Sequence, residues 1–350
     1  MHESPNTEHP FNLTYGFAGA IARLWADTRT ALAKRPLWER CVHIFWLSGP
    51  LILLIERSPA DLWLSLIALI FLVKTIFSRQ THFLKEVWVK AAFLFLFCCL
   101  VSAATSDLPM YSIGETIAWF RFPLFAMAVV FWLGRDRRML HAMLGIMTVG
   151  MMLMGIILAL EIVLVGQQNG RLSWPYGDLV PGNYLAKACL PAFVVLVAIA
   201  TSAGKQHAWL SGIFVILSLF SSLMTGERIN FLIRICGGLL AAIVWRPVWS
   251  RVGLLVLLSG VVVVVTMFLK PDLGVRFVSY FITQLPLSST SGYFQAMAPS
   301  WLAFQQDPIL GIGPANLRFL CGELIGESSV FTCHPHPHNF YLQMLGEAGI

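Results

Sequence analysis

Apolar positions along this chain come in long continuous runs rather than in alternation with polar ones. Nine runs of roughly 20 residues, the number a helix needs to cross a bilayer, lie near 41–56, 60–77, 87–104, 111–134, 141–166, 183–203, 208–224, 229–245 and 250–269, and a tenth begins at 339. A helix rises about 1.5 Å per residue, so such a run covers about 30 Å of hydrocarbon. A membrane barrel would instead show segments of about ten residues alternating apolar and polar. In lipid only helices and closed barrels satisfy their own backbone groups. The pattern therefore predicts an all-α, polytopic integral membrane helical bundle of about ten or more transmembrane helices with one large extramembrane loop. The predicted divisions are an N-terminal segment 1–40, a nine-helix bundle 41–269, the loop 270–337, and the start of a further helix at 338–350.

Composition agrees with a bilayer location. The 350 residues are 57% hydrophobic and 12% charged, with a mean hydropathy of +0.73, where soluble domains carry about 25% charged residues. Among the first 40 residues no short apolar core precedes a small-residue cleavage site, so no cleaved signal peptide is expected. Of the seven cysteines, Cys41, Cys98, Cys99, Cys189 and Cys236 fall inside apolar runs and read as small packing residues. Cys321 and Cys333 lie in the long loop and are a candidate disulfide if that loop faces an oxidising compartment.

Charge sets the orientation. With the N-terminus cytoplasmic, the inner segments hold fourteen Lys and Arg, among them Arg135, Arg137, Arg138, Lys205 and Arg246, while the outer ones hold Arg57, Arg171, Arg228, Lys270, Arg276 and Arg318. This follows the positive-inside rule and predicts a multi-pass bacterial inner-membrane protein, N-terminus cytoplasmic, contacting membrane lipids. The net charge of +6 is thereby accounted for, and no nucleic-acid partner is expected. An arginine on the translocated side runs against this bias. Arg171, Arg228 and Arg276 are such residues, and for each the alternatives are a solvated or headgroup-contacting charge or a guanidinium facing a cleft.

Arg171 lies in the Gly-, Asn- and Pro-rich loop 166–183, Arg228 in Thr225-Gly226-Glu227-Arg228-Ile229-Asn230, and Arg276 just beyond Lys270-Pro271-Asp272. The large loop carries an amphipathic candidate helix, Tyr293 to Gln306, then a glycine-rich stop. It closes with His334-Pro335-His336-Pro337-His338-Asn339. Alternating histidines suit a transition metal, but the prolines favour polyproline II with three residues per turn, so residues two apart diverge. No metal is expected. His338 directly precedes the apolar run, and Asn339 is a good N-cap for it. Two readings stay open for His338: a solvated helix-start residue, or a general base, since an imidazole can accept a proton near pH 7.

The end of the chain resembles the O-antigen ligase and polymerase superfamily, whose members carry His-Asn, nine residues, then Gly where their large periplasmic loop re-enters the membrane. Here His338-Asn339 is followed by nine residues and Gly349. Asp307-Pro-Ile-Leu-Gly-Ile-Gly-Pro-Ala-Asn316-Leu317 resembles the family's Pro-x-x-Gly-x-Gly-x-x-Asn-Phe turn, and Pro181-Gly182-Asn183-Tyr184-Leu185-Ala186 its Pro-Asn-x-x-Ala stretch. The resemblance implies a GT-C-like glycosyltransferase architecture with its active site facing the periplasm. It further implies transfer of a glycan from a polyprenyl diphosphate-linked donor to lipid A core or another glycan acceptor, with inversion and without a metal or other cofactor. His338, Arg276 and Arg171 would be catalytic, and Arg228, Asn339, Asn183 and Tyr184 substrate-binding. Guanidinium forks suit a diphosphate better than ammonium points do.

Two departures stand out. Many relatives carry an arginine after a Ser-Gly pair, whereas Ser291-Gly292 precedes Tyr293, Phe294 and Gln295 here. About 11 apolar residues after His338 are too few to cross a bilayer, so the gene product is expected to continue. Within the enzyme reading, O-antigen ligation comes first, polymerisation second, and transfer to a protein hydroxyl third. Outside it stand a transporter, for which Arg121, Glu161 and Arg234 would be the mid-helix charges, and an inactive assembly scaffold.

Overall fold

The computed structural model describes residues 17–79, 81–167, 171–174, 180–202, 208–245, 247–326, 333–334 and 336–349. Outside these fall residues 1–16 of the N-terminal segment, Lys205 and Arg246 of the inner charge set, parts of the loop 166–183 and of the large loop, Pro335, and Ile350. The described residues are helical, without a β-strand. In chain order the helices are α1 (Phe17–Ala33), α2 (Leu37–Leu47), α3 (Gly49–Ile55), α4 (Arg57–Ser78), α5 (Val87–Thr105), α6 (Pro109–Trp119), α7 (Arg121–Ala128), α8 (Arg137–Leu164), α9 (Val180–Lys187), α10 (Leu190–Thr201), α11 (Ala208–Met224), α12 (Arg228–Val244), α13 (Trp249–Leu269), α14 (Pro271–Gly274), α15 (Tyr280–Gln284), α16 (Gly292–Gln306), α17 (Leu317–Ile325) and α18 (Phe340–Ala348).

The predicted runs map onto these helices with two kinds of correction. Runs 41–56 and 183–203 are each broken, into α2 and α3 at 46° and into α9 and α10 at 59°. Pro50 and Pro191 sit at the start of the second helix of each pair, where proline's missing N–H does no harm but a continuous helix would lose a hydrogen bond. Among the described residues five helical stretches, one of them Pro109–Leu133 with α6 and α7 taken together, are long and apolar enough to span a membrane, or up to seven if each bent pair counts once, fewer than the ten predicted. One reason is length, since α11 and α12 are 17 residues each, about 26 Å at 1.5 Å per residue. α12 also carries Arg228 and the buried Arg234.

The chain divides into two compact units, one of residues 1–63 and 133–277, the other of 64–132 and 278–350. This division cuts across the sequence-contiguous segments predicted above. In the first unit α8, α9, α10 and α11 close on a core containing Met154, Leu158, Leu185, Phe193 and Val215, with Leu172 inserted from the loop after α8 and Leu273 from α14. In the second, α16 packs on α17 and α18, α18 also touches α5, and Ala303, Ile312 and Leu317 form the centre.

Candidate functional site

In the first unit the turn Thr225-Gly226-Glu227 between α11 and α12 is the meeting point. Gly226 takes a positive φ of 67°, which glycine adopts without Cβ strain, and its carbonyl accepts a 2.9 Å hydrogen bond from Arg276 Nε. Arg276 reaches it from a π-helical turn, Val275–Ser279, anchored by buried Leu273 and by Phe277 edge-on to Phe231 at 5.8 Å. Arg171 forms an ion pair with Glu227 at 3.4 Å. Arg228 opens α12, and its charge acts on Glu227 too. The backbone of Gly182 lies so close to the Glu227 side chain that a Cβ would overlap it, which sets exposed Asn183 beside the same turn. Burial raises the Glu227 carboxyl above its ordinary pKa, and Arg171 and Arg228 offset part of that rise.

The segment bearing Arg171 is pinned from two sides. Met224's carbonyl accepts from the Leu172 N–H at 3.2 Å and from the Gln167 amide at 3.1 Å. On the other side Glu161, near the end of α8 and only 2% exposed, accepts from the Ser173 N–H at 2.9 and 3.1 Å and from the Trp174 N–H at 2.9 Å. A buried carboxylate is tolerated when charge-assisted hydrogen bonds fill its lone pairs. Glu161 is therefore a loop staple rather than the isolated mid-helix charge expected of a transporter. Arg234 is similar. It is fully buried, donates to the Leu185 carbonyl at 2.8 Å and to Asn230 Oδ1 at 3.3 Å, bonds Ser218 Oγ, and lies over the Phe193 ring at 4.8 Å.

Tyr184, expected to face substrate, is a core residue. It is 4% exposed, and its hydroxyl donates to the Pro50 carbonyl at 2.9 Å while packing over Gly150. The spacing that puts Asn183 on the surface turns its neighbour inward by about 100° of helix rotation. Its task is to lock α9 to α3.

The second unit holds His338 and Asn339. Asn339 is the N-cap of α18, its Oδ1 accepting from the Leu342 N–H at 3.1 Å, and Gly349 closes the same helix at φ +72°. The nine residues of the His-Asn motif's spacer are thus α18 itself. His338 is exposed and held at φ +53°, a conformation uncommon outside glycine. The 307–316 turn docks onto α18: the N–H groups of Ile312 and Gly313 donate to the carbonyls of Gly346 and Glu347 at 3.1 and 2.9 Å. Ser102 Oγ donates to that same Glu347 carbonyl, and Ser112 Oγ to the Pro314 carbonyl, both at 2.8 Å. Asn316 is buried and donates to the Ile312 carbonyl at 2.9 Å. The turn motif and the His-Asn motif are therefore one interlocked structure.

Arg318 lies over Tyr111 at 6.0 Å. The His336 imidazole's pKa is lowered, first by partial desolvation and then by repulsion from Arg318 and His338. Cys321 and Cys333 are joined as a disulfide with a Cα–Cα separation of 5.5 Å. Ser291, in the Ser291-Gly292 pair, caps α16 by accepting from the Phe294 N–H at 3.2 Å. Among the described residues no three His, Cys, Asp or Glu side chains gather as a metal-ligand group.

The structure thus brings Arg171, Arg228, Arg276 and Asn183 together in the first unit and His338 with Asn339 in the second. From sequence alone Glu161 is only a mid-helix charge and Glu227 has no role. The Glu-Arg pair at a helix start was a usable signal for Glu227, but nothing in sequence tied Glu161 to residues 173 and 174.

Helices of this length and apolarity around a guanidinium-rich turn define a polytopic helical membrane protein. Residues 213–350 match the family model described as O-antigen ligase. The match supports a membrane enzyme of the O-antigen ligase or polymerase type. No curated protein and no solved structure gives a significant match.

Proposed function

We propose that the protein is a membrane glycosyltransferase that moves a glycan from a polyprenyl diphosphate-linked donor to a sugar hydroxyl at the periplasmic face of the inner membrane, with ligation of O-antigen to lipid A core as its reaction. The observation that carries this reading is the convergence of Arg171, Arg228 and Arg276 on the 225–228 turn. Arg171 and Arg228 act on the Glu227 carboxylate and Arg276 is bonded to the adjoining Gly226 carbonyl, so three guanidiniums meet a single carboxylate on this turn and leave it net positive, suited to a diphosphate.

In this reading the acceptor hydroxyl oxygen attacks the anomeric carbon from the face opposite the diphosphate. The C–O bond to the donor diphosphate breaks, the configuration inverts, and the hydroxyl proton passes to the His338 imidazole. The arginines stabilise the charge gathering on the departing diphosphate. The exposure of His338 supports access of an acceptor, and its positive φ supports a ring direction set by the backbone.

The test is a gene deletion complemented with wild type, His338→Ala or Arg276→Ala, with lipopolysaccharide examined by gel. Loss of long-chain bands with accumulation of lipid-linked glycan, in the deletion and both variants, is the expected result. Core bearing a single repeat would assign polymerisation instead, and normal glycan attachment in His338→Ala would overturn the mechanism.

A further inference from the structure

Arg171 stands between two glutamates that treat it differently. Glu161 touches the backbone beyond it and makes three hydrogen bonds there. Glu227 faces its guanidinium at 3.4 Å, yet Glu227 Oε1 and Arg171 Nε are both buried without a hydrogen-bond partner among the described residues. The ion pair is thus close in charge but poorly saturated in hydrogen bonds. Buried donors and acceptors left unmatched favour exchange for a partner that satisfies them. A phosphate group presents several acceptors to the fork of a guanidinium.

We propose that the two carboxylates set the availability of Arg171 in opposite senses: Glu161 is a positioning residue that fixes the segment presenting it, and Glu227 is a resident counter-ion that the donor's diphosphate displaces. The proposal rests on reading Arg171 as a diphosphate-binding residue. Glu227 keeps Arg171 aligned before binding, and its departure frees the guanidinium. Glu227 is then left beside an anion, facing Arg228 and the Gly182 backbone, with Arg276 held on the adjoining Gly226 carbonyl. No bond is made or broken in this exchange.

The experiment measures binding of a synthetic polyprenyl diphosphate to the purified protein in nanodiscs. Arg171→Ala should weaken binding by about tenfold, the effect of losing a charge-assisted contact of about 1.4 kcal/mol. Glu161→Ala should weaken it to a similar degree, Glu161→Gln, which keeps one acceptor oxygen, by less, and the double variant Glu161→Ala/Arg171→Ala no more than Arg171→Ala alone. Glu227→Gln, which keeps the shape packed on Gly182, should tighten binding about twofold to fivefold, as expected for removing a partly exposed competing charge. That gain should vanish in the Arg171→Ala background.

Wild-type binding by Arg171→Ala would overturn the diphosphate reading itself. Weak binding by Arg171→Ala combined with unchanged binding by the Glu161 variants, or with additive losses in the double variant, would overturn the role of Glu161 while leaving that reading intact. Weaker binding by Glu227→Gln would overturn displacement. If Glu161→Ala does not accumulate, the Glu161→Gln comparison alone decides, with a wild-type melting temperature showing that the fold is kept.

Discussion

Replacing Asn339 separates two roles that its position allows. Its Oδ1 accepts the Leu342 N–H at 3.1 Å, and α18 is only nine residues long. Loss of an N-cap of this kind costs about 1 kcal/mol, which a helix of two and a half turns cannot redistribute far. Asn339→Ala should therefore raise amide exchange at Leu342 about fivefold, since 1.36 kcal/mol corresponds to tenfold. His338 sits one residue before the cap at φ +53°, so fraying of the first turn releases the conformation that aims its ring. Glycan transfer in membranes should fall by at least a similar factor. Asp and Ser cap about as well as Asn, and a carboxylate also suits a helix N-terminus. If Asn339 acts as a cap, Asn339→Asp and Asn339→Ser restore both exchange protection and transfer. If its carboxamide contacts substrate, neither restores transfer, and unchanged exchange in Asn339→Ala would refute the capping argument outright.

Four further outcomes follow from the geometry. Tyr184→Phe removes the bond to the Pro50 carbonyl and should lower stability by about 1 kcal/mol, measured by melting temperature, with the KM for donor unchanged. Gly311→Ala forces φ +68° on a residue with a Cβ and sets that Cβ 2.5 Å from the Glu347 carbonyl carbon, so a cost above about 2 kcal/mol and a loss of folded protein on size exclusion are expected. Glu227 is anionic above its raised pKa and competes with donor there. As pH falls through that pKa, from above the ordinary carboxylate value of about 4.3, the pair with Arg171 is lost and donor binding should tighten, a trend Glu227→Gln should flatten. An alanine inserted between Phe340 and Tyr341 rotates Asn339 about 100° and shifts it about 1.5 Å relative to the docked end of α18. Transfer should be lost in that variant while far-UV helicity is kept.

Much of the helical layout was legible because a continuous apolar run carries its own length, and α5, α8 and α13 start and stop within a few residues of their predicted bounds. The bends at Pro50 and Pro191 were also written in the sequence, but hydropathy averages across a proline. Arg171, Arg228 and Arg276 were each conspicuous as charges against the insertion bias. Their convergence was not, because it depends on two carbonyls, those of Met224 and Gly226, whose availability follows from how α11 ends. Glu161 misled for a related reason. Read along α8 it is a lone charge in apolar sequence, yet it lies one turn from the helix end, where the loop folds back over it. Tyr184 shows the opposite error, since proximity in sequence to Asn183 says nothing of direction on a helix.

The spacing of the His-Asn motif has a mechanical basis in this structure. A helix starts where a side chain caps its first N–H groups and stops where a residue can turn left-handed, and Asn339 and Gly349 supply these two ends. That alone would permit any length. The length is fixed because the C-terminal half is also a docking surface. The carbonyls of Gly346 and Glu347 accept from the 312–313 backbone, and Gly346 and Gly349 lie where a Cβ would strike the backbone of Ser300 and Ile309. With the far end clamped, each residue in the spacer sets the azimuth of the near end by a fixed step. His338, one residue outside the cap, inherits that azimuth, and the glycine-rich turn at 307–316 thereby becomes part of what aims the histidine although it is distant in sequence.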